Sequence, residues 1–164
     1  MRLSYKCISA ALSVAWTLSN ASEKPNRSEL LCSLLRRFPY WIKGHLEYAE
    51  DALGRDSIAD AYASANAALY LSEAGRSHQA TAHFVLGRCF LRRGDWRSAV
   101  EYLSRAHTAL PIKHQIGEEL AAAYVLGGDY QAASDLLEAI PGNYISAAGK
   151  AARSFVRAKT RGLH

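Results

Sequence analysis

Leu86–Leu103 reads LGRCFLRRGDWRSAVEYL, and Leu120–Leu137 reads LAAAYVLGGDYQAASDLL. The two stretches align without a gap at a shift of 34 residues, pairing Leu86 with Leu120, Phe90 with Tyr124, Gly94 with Gly128, Asp95 with Asp129, Trp96 with Tyr130, Ala99 with Ala133 and Leu103 with Leu137. Self-similarity at such a period marks a repeated supersecondary unit. Each copy places apolar residues three and four apart, as one face of a helix requires, then Gly-Asp-aromatic, then a second stripe of the same period. The expected unit is a helical hairpin. Gly94 and Gly128 can take the left-handed conformation that ends a helix, and Asp95 and Asp129 can cap the next one. Trp96 and Tyr130 then cover the closed end of the hairpin, and Ala99 and Ala133 fall where a larger side chain would push crossing helices apart. Pro111 ends the second helix of the first copy because it cannot continue the hydrogen-bond ladder, and Pro141 ends that of the next copy several residues early.

Working outward, residues 42–75 form a further hairpin, with Tyr48 and Ala49 as the close-packing pair, Asp56 at the turn and Ala61, Ala65 and Ala68 on the second helix. Four extra residues around Gly75 to His78 separate it from the following copy. Pro39 ends an earlier helix, Ser28 to Phe38, which Asn26 opens with Glu29 three residues on, a capping-box spacing. Its partner is expected in Met1 to Asn20, with Ala11, Val14, Ala15 and Leu18 as the packing face. The same residues have a competing reading as a secretory signal, since a basic start precedes an apolar run and Ser19-Asn20-Ala21. Serines and a threonine interrupt that run, and the structural helix is the expectation. Beyond Pro141, Ile145 to Lys159 reads as a last helix with Ala147, Ala151, Phe155 and Val156 apolar, a solvent-facing cap of the kind a repeat stack needs.

The run His83-x-x-Leu86-Gly87-x-x-Phe90, followed by Ala99-x-x-x-Leu103-x-x-Ala106 and Pro111, resembles the tetratricopeptide repeat family, with His83 in place of that family's Trp. The next copy keeps Leu120, Tyr124, Gly128, Ala133 and Leu137 but has Ala121 at the small-Gly position. The resemblance implies a single all-α domain over 1–164, a right-handed superhelical stack of antiparallel hairpins (about 8–41, 42–75, 80–113 and 114–143) with a capping helix at 144–160. It also implies a non-catalytic adaptor or scaffold that binds a peptide segment or partner protein in a concave groove lined by the first helix of each hairpin. On this chain the groove candidates are Lys43, Leu46, Glu50 and Leu53, then Thr81, Phe84, Arg88 and Arg92, then Gln115, Glu118 and Ala122, with Trp16 on the first helix. Repeats that clamp the carboxylate tail of chaperones need polar or basic groups where Leu46, Glu50 and Phe84 stand, so that specialisation is not expected.

Arg88 and Arg92 are four apart on one helix face and offer two guanidinium forks to carboxylates or phosphates, with Lys43 able to extend the patch. Against this stands the reading that they solubilise the helix or pair with Glu118 of the next hairpin. On the first reading, reversing both charges abolishes partner capture with little change in stability.

At 49% hydrophobic and 21% charged, with 4 prolines in 164 residues, the chain has the composition of one ordered globular domain. Its formal net charge of +5 mildly favours anionic partners, and the excess lies at the end, where Lys150, Arg153, Arg157, Lys159 and Arg161 follow the last acid, Glu138. Lys150, Arg153 and Arg157 share a helix face, so nucleic-acid or anionic-surface binding through this helix is the alternative function. Interleaved aromatics for base stacking are missing, which makes it the lesser of the two. Cys7, Cys32 and Cys89 are widely spaced and read as reduced core thiols, while His78 and His83, five apart, do not share a helix face. No metal or cofactor is expected. Glu118 and Glu119 point about a hundred degrees apart on a helix, which argues against shared acid–base work, and no nucleophile or phosphate-loop motif occurs. The expected location is cytoplasmic, or exported if residues 1–21 act as a signal. No segment has the length of a membrane span. Loss of the first helix would expose Leu30, Leu31, Leu34 and Leu35, so self-association is an option for a shortened chain.

Overall fold

The computed structural model describes residues 26–72 and 76–161. The expected helix at Met1 to Asn20, with Trp16, Ala11, Val14, Ala15 and Leu18, lies outside the described residues, as does Cys7.

Eight helices and no strand make up the described chain: α1 (Arg27–Arg37), α2 (Ile42–Gly54), α3 (Ile58–Leu71), α4 (Arg76–Arg92), α5 (Trp96–Ala109), α6 (His114–Gly127), α7 (Tyr130–Ala139) and α8 (Ala147–Arg161). Each packs on the next, and α2–α4, α4–α6 and α6–α8 touch as well. Short turns make consecutive helices antiparallel, so the even-numbered helices run in one direction side by side.

The turn chemistry read from the sequence recurs three times. Gly94 (φ 75°) and Gly128 (φ 83°) adopt the left-handed conformation, and Asp56 (φ 60°) does the same where the first pair of helices turns. In each turn the following N–H reaches back across the helix end, Ser57 to Ala52 O at 2.8 Å, Asp95 to Phe90 O at 3.0 Å and Asp129 to Tyr124 O at 3.0 Å. Asp and Asn tolerate this region better than other residues with a Cβ, which explains how α2 ends without a glycine at that position. The next helix is then capped: Asp95 accepts from the Ser98 N–H at 3.2 Å and Asp129 from the Ala132 N–H at 3.0 Å. Asn26 caps α1 through the Ser28 N–H at 3.3 Å. Pro111 and Pro141 lie just beyond α5 and α7, as expected.

Small residues set the helix spacing. Ala49, Ala61, Ala65, Ala99 and Ala133 are fully buried at helix crossings. A Cβ on Gly87 would lie 2.5 Å from Leu103 Cγ, so α4 and α5 meet with the α4 backbone against the Leu103 side chain. Between hairpins an aromatic row links α3, α4 and α5, in which Tyr62 meets Phe90 edge-on at 5.7 Å and Phe90 stacks on Tyr102 at 5.3 Å.

The last helix departs from its expected face. Ala147, Ala151 and Phe155 are exposed, while Ile145, Gly149 and Val156 are buried and Ala152 packs beside them. Two polar clamps fix this phase. Arg153 donates through Nη2 to the Leu137 carbonyl and, at 2.8 Å, to the Ile140 carbonyl, adding to the Ile140 N–H that the Leu137 carbonyl already accepts at the end of α7. Arg157 grips Glu138 with Nε at 2.6 Å and Nη2 at 2.8 Å.

His83, which stands where the resembled family has Trp, lies half-buried 5.9 Å from the Tyr102 ring. Burial first and the Arg105 charge second hold its pKa below the usual 6.5. The unfolded chain therefore binds more protons than the folded one just below pH 6.5, and stability falls as pH drops through that value until the lowered folded pKa is passed. Urea midpoints measured from neutral pH downward should show this decline, and His83→Gln should flatten it; an unchanged slope in that variant would assign the decline to other groups. Asp95, through its Ser98 bonds, and Glu138, through Arg157, also titrate below their usual values, so they add a separate loss in the carboxylate range.

Candidate partner-binding face

The outward stripe of α2, α4 and α6, exposed or half-buried, follows from which side their neighbours occupy. On α2 it runs through Lys43, Glu47 and Glu50, on α4 through Ser77, Thr81, Arg88 and Arg92, and on α6 through Gln115, Glu119, Ala122 and Leu126. These positions recur at spacings of three, four and seven, the period of one helix face. Because α2, α4 and α6 touch in order, the three stripes adjoin.

Arg88 Nε lies 3.3 Å from Glu119 Oε1, an ion pair that bridges α4 to α6 across this face. The same guanidinium sits 5.5 Å from the Phe84 ring centroid. Arg92 Nη1 donates to Asp56 Oδ1 at 2.6 Å, reaching from the end of α4 to the left-handed turn after α2. Lys43 Nζ lies 3.8 Å from Glu47 on its own helix. The two arginines thus meet carboxylates of the chain itself, in a pairing that differs from the one the spacing suggested: Glu119 takes Arg88, and Glu118 turns away. Glu118 accepts from the Ser146 N–H at 2.7 Å and the Ser146 hydroxyl at 2.5 Å, tying α6 to the start of α8. Replacing Arg88 and Arg92 by glutamate would set like charges against Glu119 and Asp56, so stability is measured beside capture in such a variant.

Three of the sequence-derived groove residues are core residues. Leu46 is buried with Ala68 and Ala82, Leu53 with Ala49, Ala52 and Val85, and Phe84 with Leu103, Ala106, Ile116 and Leu120. The physical reason is that, besides its own hairpin partner, α2 contacts two other helices and α4 three, which leaves a narrower outward stripe than an isolated pair would have. Glu50, Gln115 and Ala122 are exposed, Thr81 is partly so, and the structure adds Glu119 and the exposed Leu126 to the face. Leu126 lies seven residues beyond Glu119 and four beyond Ala122, a spacing that could have marked it.

Among the described residues no group of three or more His, Cys, Asp or Glu side chains is placed to hold a metal ion, and no helix is long and apolar enough to cross a membrane. Cys32 and Cys89 are free thiols, and burial raises the Cys89 pKa above its usual value, against the chemistry of a reactive thiolate. Of the basic residues on α8, Arg153 and Arg157 are engaged with α7, whereas Lys150, Lys159 and Arg161 are exposed. Neither a family model nor a curated protein matches the sequence.

Proposed function

We infer that this chain is a tetratricopeptide-like helical repeat, a right-handed stack of about four antiparallel hairpins closed by α8, and that it serves as a non-catalytic adaptor holding a peptide segment or partner protein against α2, α4 and α6. The observation that carries this reading is the alignment of the three outward stripes into one face, bridged by Arg88 and Glu119. Charges of both signs, an amide and exposed apolar groups at Ala122 and Leu126 provide the mixture that a peptide backbone with alternating side chains can use. With both arginines already paired, the face offers polar and apolar complementarity in place of an uncompensated cationic patch. A partner carboxylate would have to compete with Glu119 and Asp56 for them.

The test is capture by the full chain from its native cells, with wild type and a Glu50→Lys, Ala122→Trp variant compared side by side. Both positions are exposed, so helicity and melting temperature should hold. The variant should lose about tenfold or more of the captured partner, because a bulky ring and a reversed charge obstruct the face on both sides of α4. Equal capture by both proteins would move the interface off these helices.

A further inference from the structure

Six large apolar side chains are exposed among the described residues, and four of them share one edge. Tyr40 follows α1, Tyr70 ends α3, Ile112 lies between α5 and α6, and Tyr144 lies between α7 and α8. Antiparallel neighbours bring all four junctions to the same side of the stack. Packing bears this out: Ile42 and Leu69, two residues beyond Tyr40 and one before Tyr70, pack against one cluster of Leu46, Ala68 and Ala82, and the His114 and Tyr144 rings lie 5.0 Å apart. The four side chains stand out from the surface, with exposures of 81% for Tyr40, 80% for Tyr70, 86% for Ile112 and 63% for Tyr144.

Among the described residues of this edge cations outnumber acids. Arg36, Arg37 and Lys113 are exposed there, and the acids are Glu118, which accepts from Ser146, and Glu138, which is held by Arg157. On the opposite side, at the turns between α2 and α3, α4 and α5, and α6 and α7, Asp51, Asp56, Asp60, Asp95 and Asp129 stand among Arg55, Arg92, Arg93 and Arg97. The two ends of the helices therefore differ: acids and arginines interleave at one, whereas protruding tyrosines and an isoleucine with an excess of cations mark the other.

We propose that this edge docks on an anionic lipid bilayer, with Tyr40, Tyr70, Ile112 and Tyr144 entering the headgroup region and Arg36, Arg37 and Lys113 meeting lipid phosphates and carboxylates. Tyrosine suits that depth because its ring is apolar and its hydroxyl is not, and basic side chains are drawn to an anionic leaflet. The excess of cations opposes a second copy on the same edge. Their placement argues for lipid over a folded protein: the four side chains stand at four separate helix junctions, so each can enter a bilayer alone, whereas a protein interface gathers its apolar anchors into a packed centre. This surface is separate from the face on α2, α4 and α6, and the two can be engaged together.

Co-sedimentation of the full chain with vesicles tests the assignment. Wild type should bind phosphatidylcholine vesicles containing phosphatidylserine, bind pure phosphatidylcholine weakly, and release as salt rises. The variant Tyr40→Ser, Tyr70→Ser, Ile112→Ser, Tyr144→Ser should lose about tenfold or more of its bound fraction, as should Arg36→Glu, Arg37→Glu, Lys113→Glu. A milder pair, Tyr70→Ser with Ile112→Ser, should lie between these and wild type, and circular dichroism should show native helicity in all three. Lys159→Glu with Arg161→Glu, at the far end of α8, should bind like wild type. The proposal is overturned if wild type ignores the anionic vesicles, if the apolar variants bind normally, or if the α8 pair loses as much as the edge variants. Normal vesicle binding by the edge variants with loss of a soluble partner protein would likewise overturn it and assign the edge to protein.

Discussion

Leu103→Ala lowers the unfolding free energy by about 3 kcal/mol and Gly87→Ala by about 2 kcal/mol, yet the double variant is destabilised by at least about 1 kcal/mol less than the sum. Leu103 is fully buried among Phe84, Ala99, Ala106, Ile116 and Leu120, so truncation leaves a cavity that α4, α5 and α6 close only in part. Gly87 fails by the opposite route. Its added methyl would sit 2.5 Å from Leu103 Cγ, 2.8 Å from Cδ2 and 3.3 Å from the Leu103 backbone nitrogen. A side chain with no exposed surface cannot swing aside, so the helices must separate. Alanine is the better helix former by about 1 kcal/mol, but that gain is hidden while Leu103 resists the methyl. With Leu103 removed, the methyl enters the space it left, the strain disappears and the helix preference shows. Urea denaturation of the four proteins measures the coupling. Strict additivity would mean that α4 and α5 relax independently and that their contact is not the close fit described.

Arg153→Met loosens α8 with little effect on α2 to α5. The substitution keeps much of the aliphatic stem but removes the donors to the Leu137 and Ile140 carbonyls, and hydrogen bonds from a charged group contribute about 1.5–3 kcal/mol each with partial overlap when one nitrogen serves both. An expected local loss of about 3 kcal/mol should appear in hydrogen exchange as faster opening of amides along Ala147–Arg161. Because among the described helices α8 packs on α7 and α6 alone, protection in the central helices should stay near wild type. Uniform loss of protection along the chain would show that the cap supports the whole stack, and unchanged exchange would show that Val156 and Ile145 hold α8 without the arginine.

The turns were legible in the sequence because their chemistry is local. Glycine before aspartate states both where one helix stops and where the next begins, and the observed boundaries at Gly94–Asp95 and Gly128–Asp129 follow. Asp56 marked the first turn without that pair, since it takes the left-handed position itself and no glycine precedes it. Helix phase was harder wherever alanine stands on several sides. In α8 the alanines at 147, 151 and 152 allow more than one stripe, and the choice came from contacts with α7, where two carbonyls and Glu138 wait for Arg153 and Arg157. The same limitation explains the candidate face. Glu118 and Glu119 differ by a hundred degrees of rotation, and which one meets Arg88 depends on how α6 is turned against α4. Leu46 and Phe84 were readable as apolar residues on first helices, but their burial requires the third helix that closes over each.

Among the described residues every helix touches only helices one or two places away in the chain, which has a consequence for how the native state is reached. Contacts that close short loops cost little chain entropy, so such a topology folds quickly for its length, and no segment must wait for a distant one. During synthesis α2 and α3 can associate as soon as Leu71 has emerged, and each later pair finds a finished surface to settle on. A ribosome-stalled series of lengths should accordingly gain structure in steps, one pair of helices at a time.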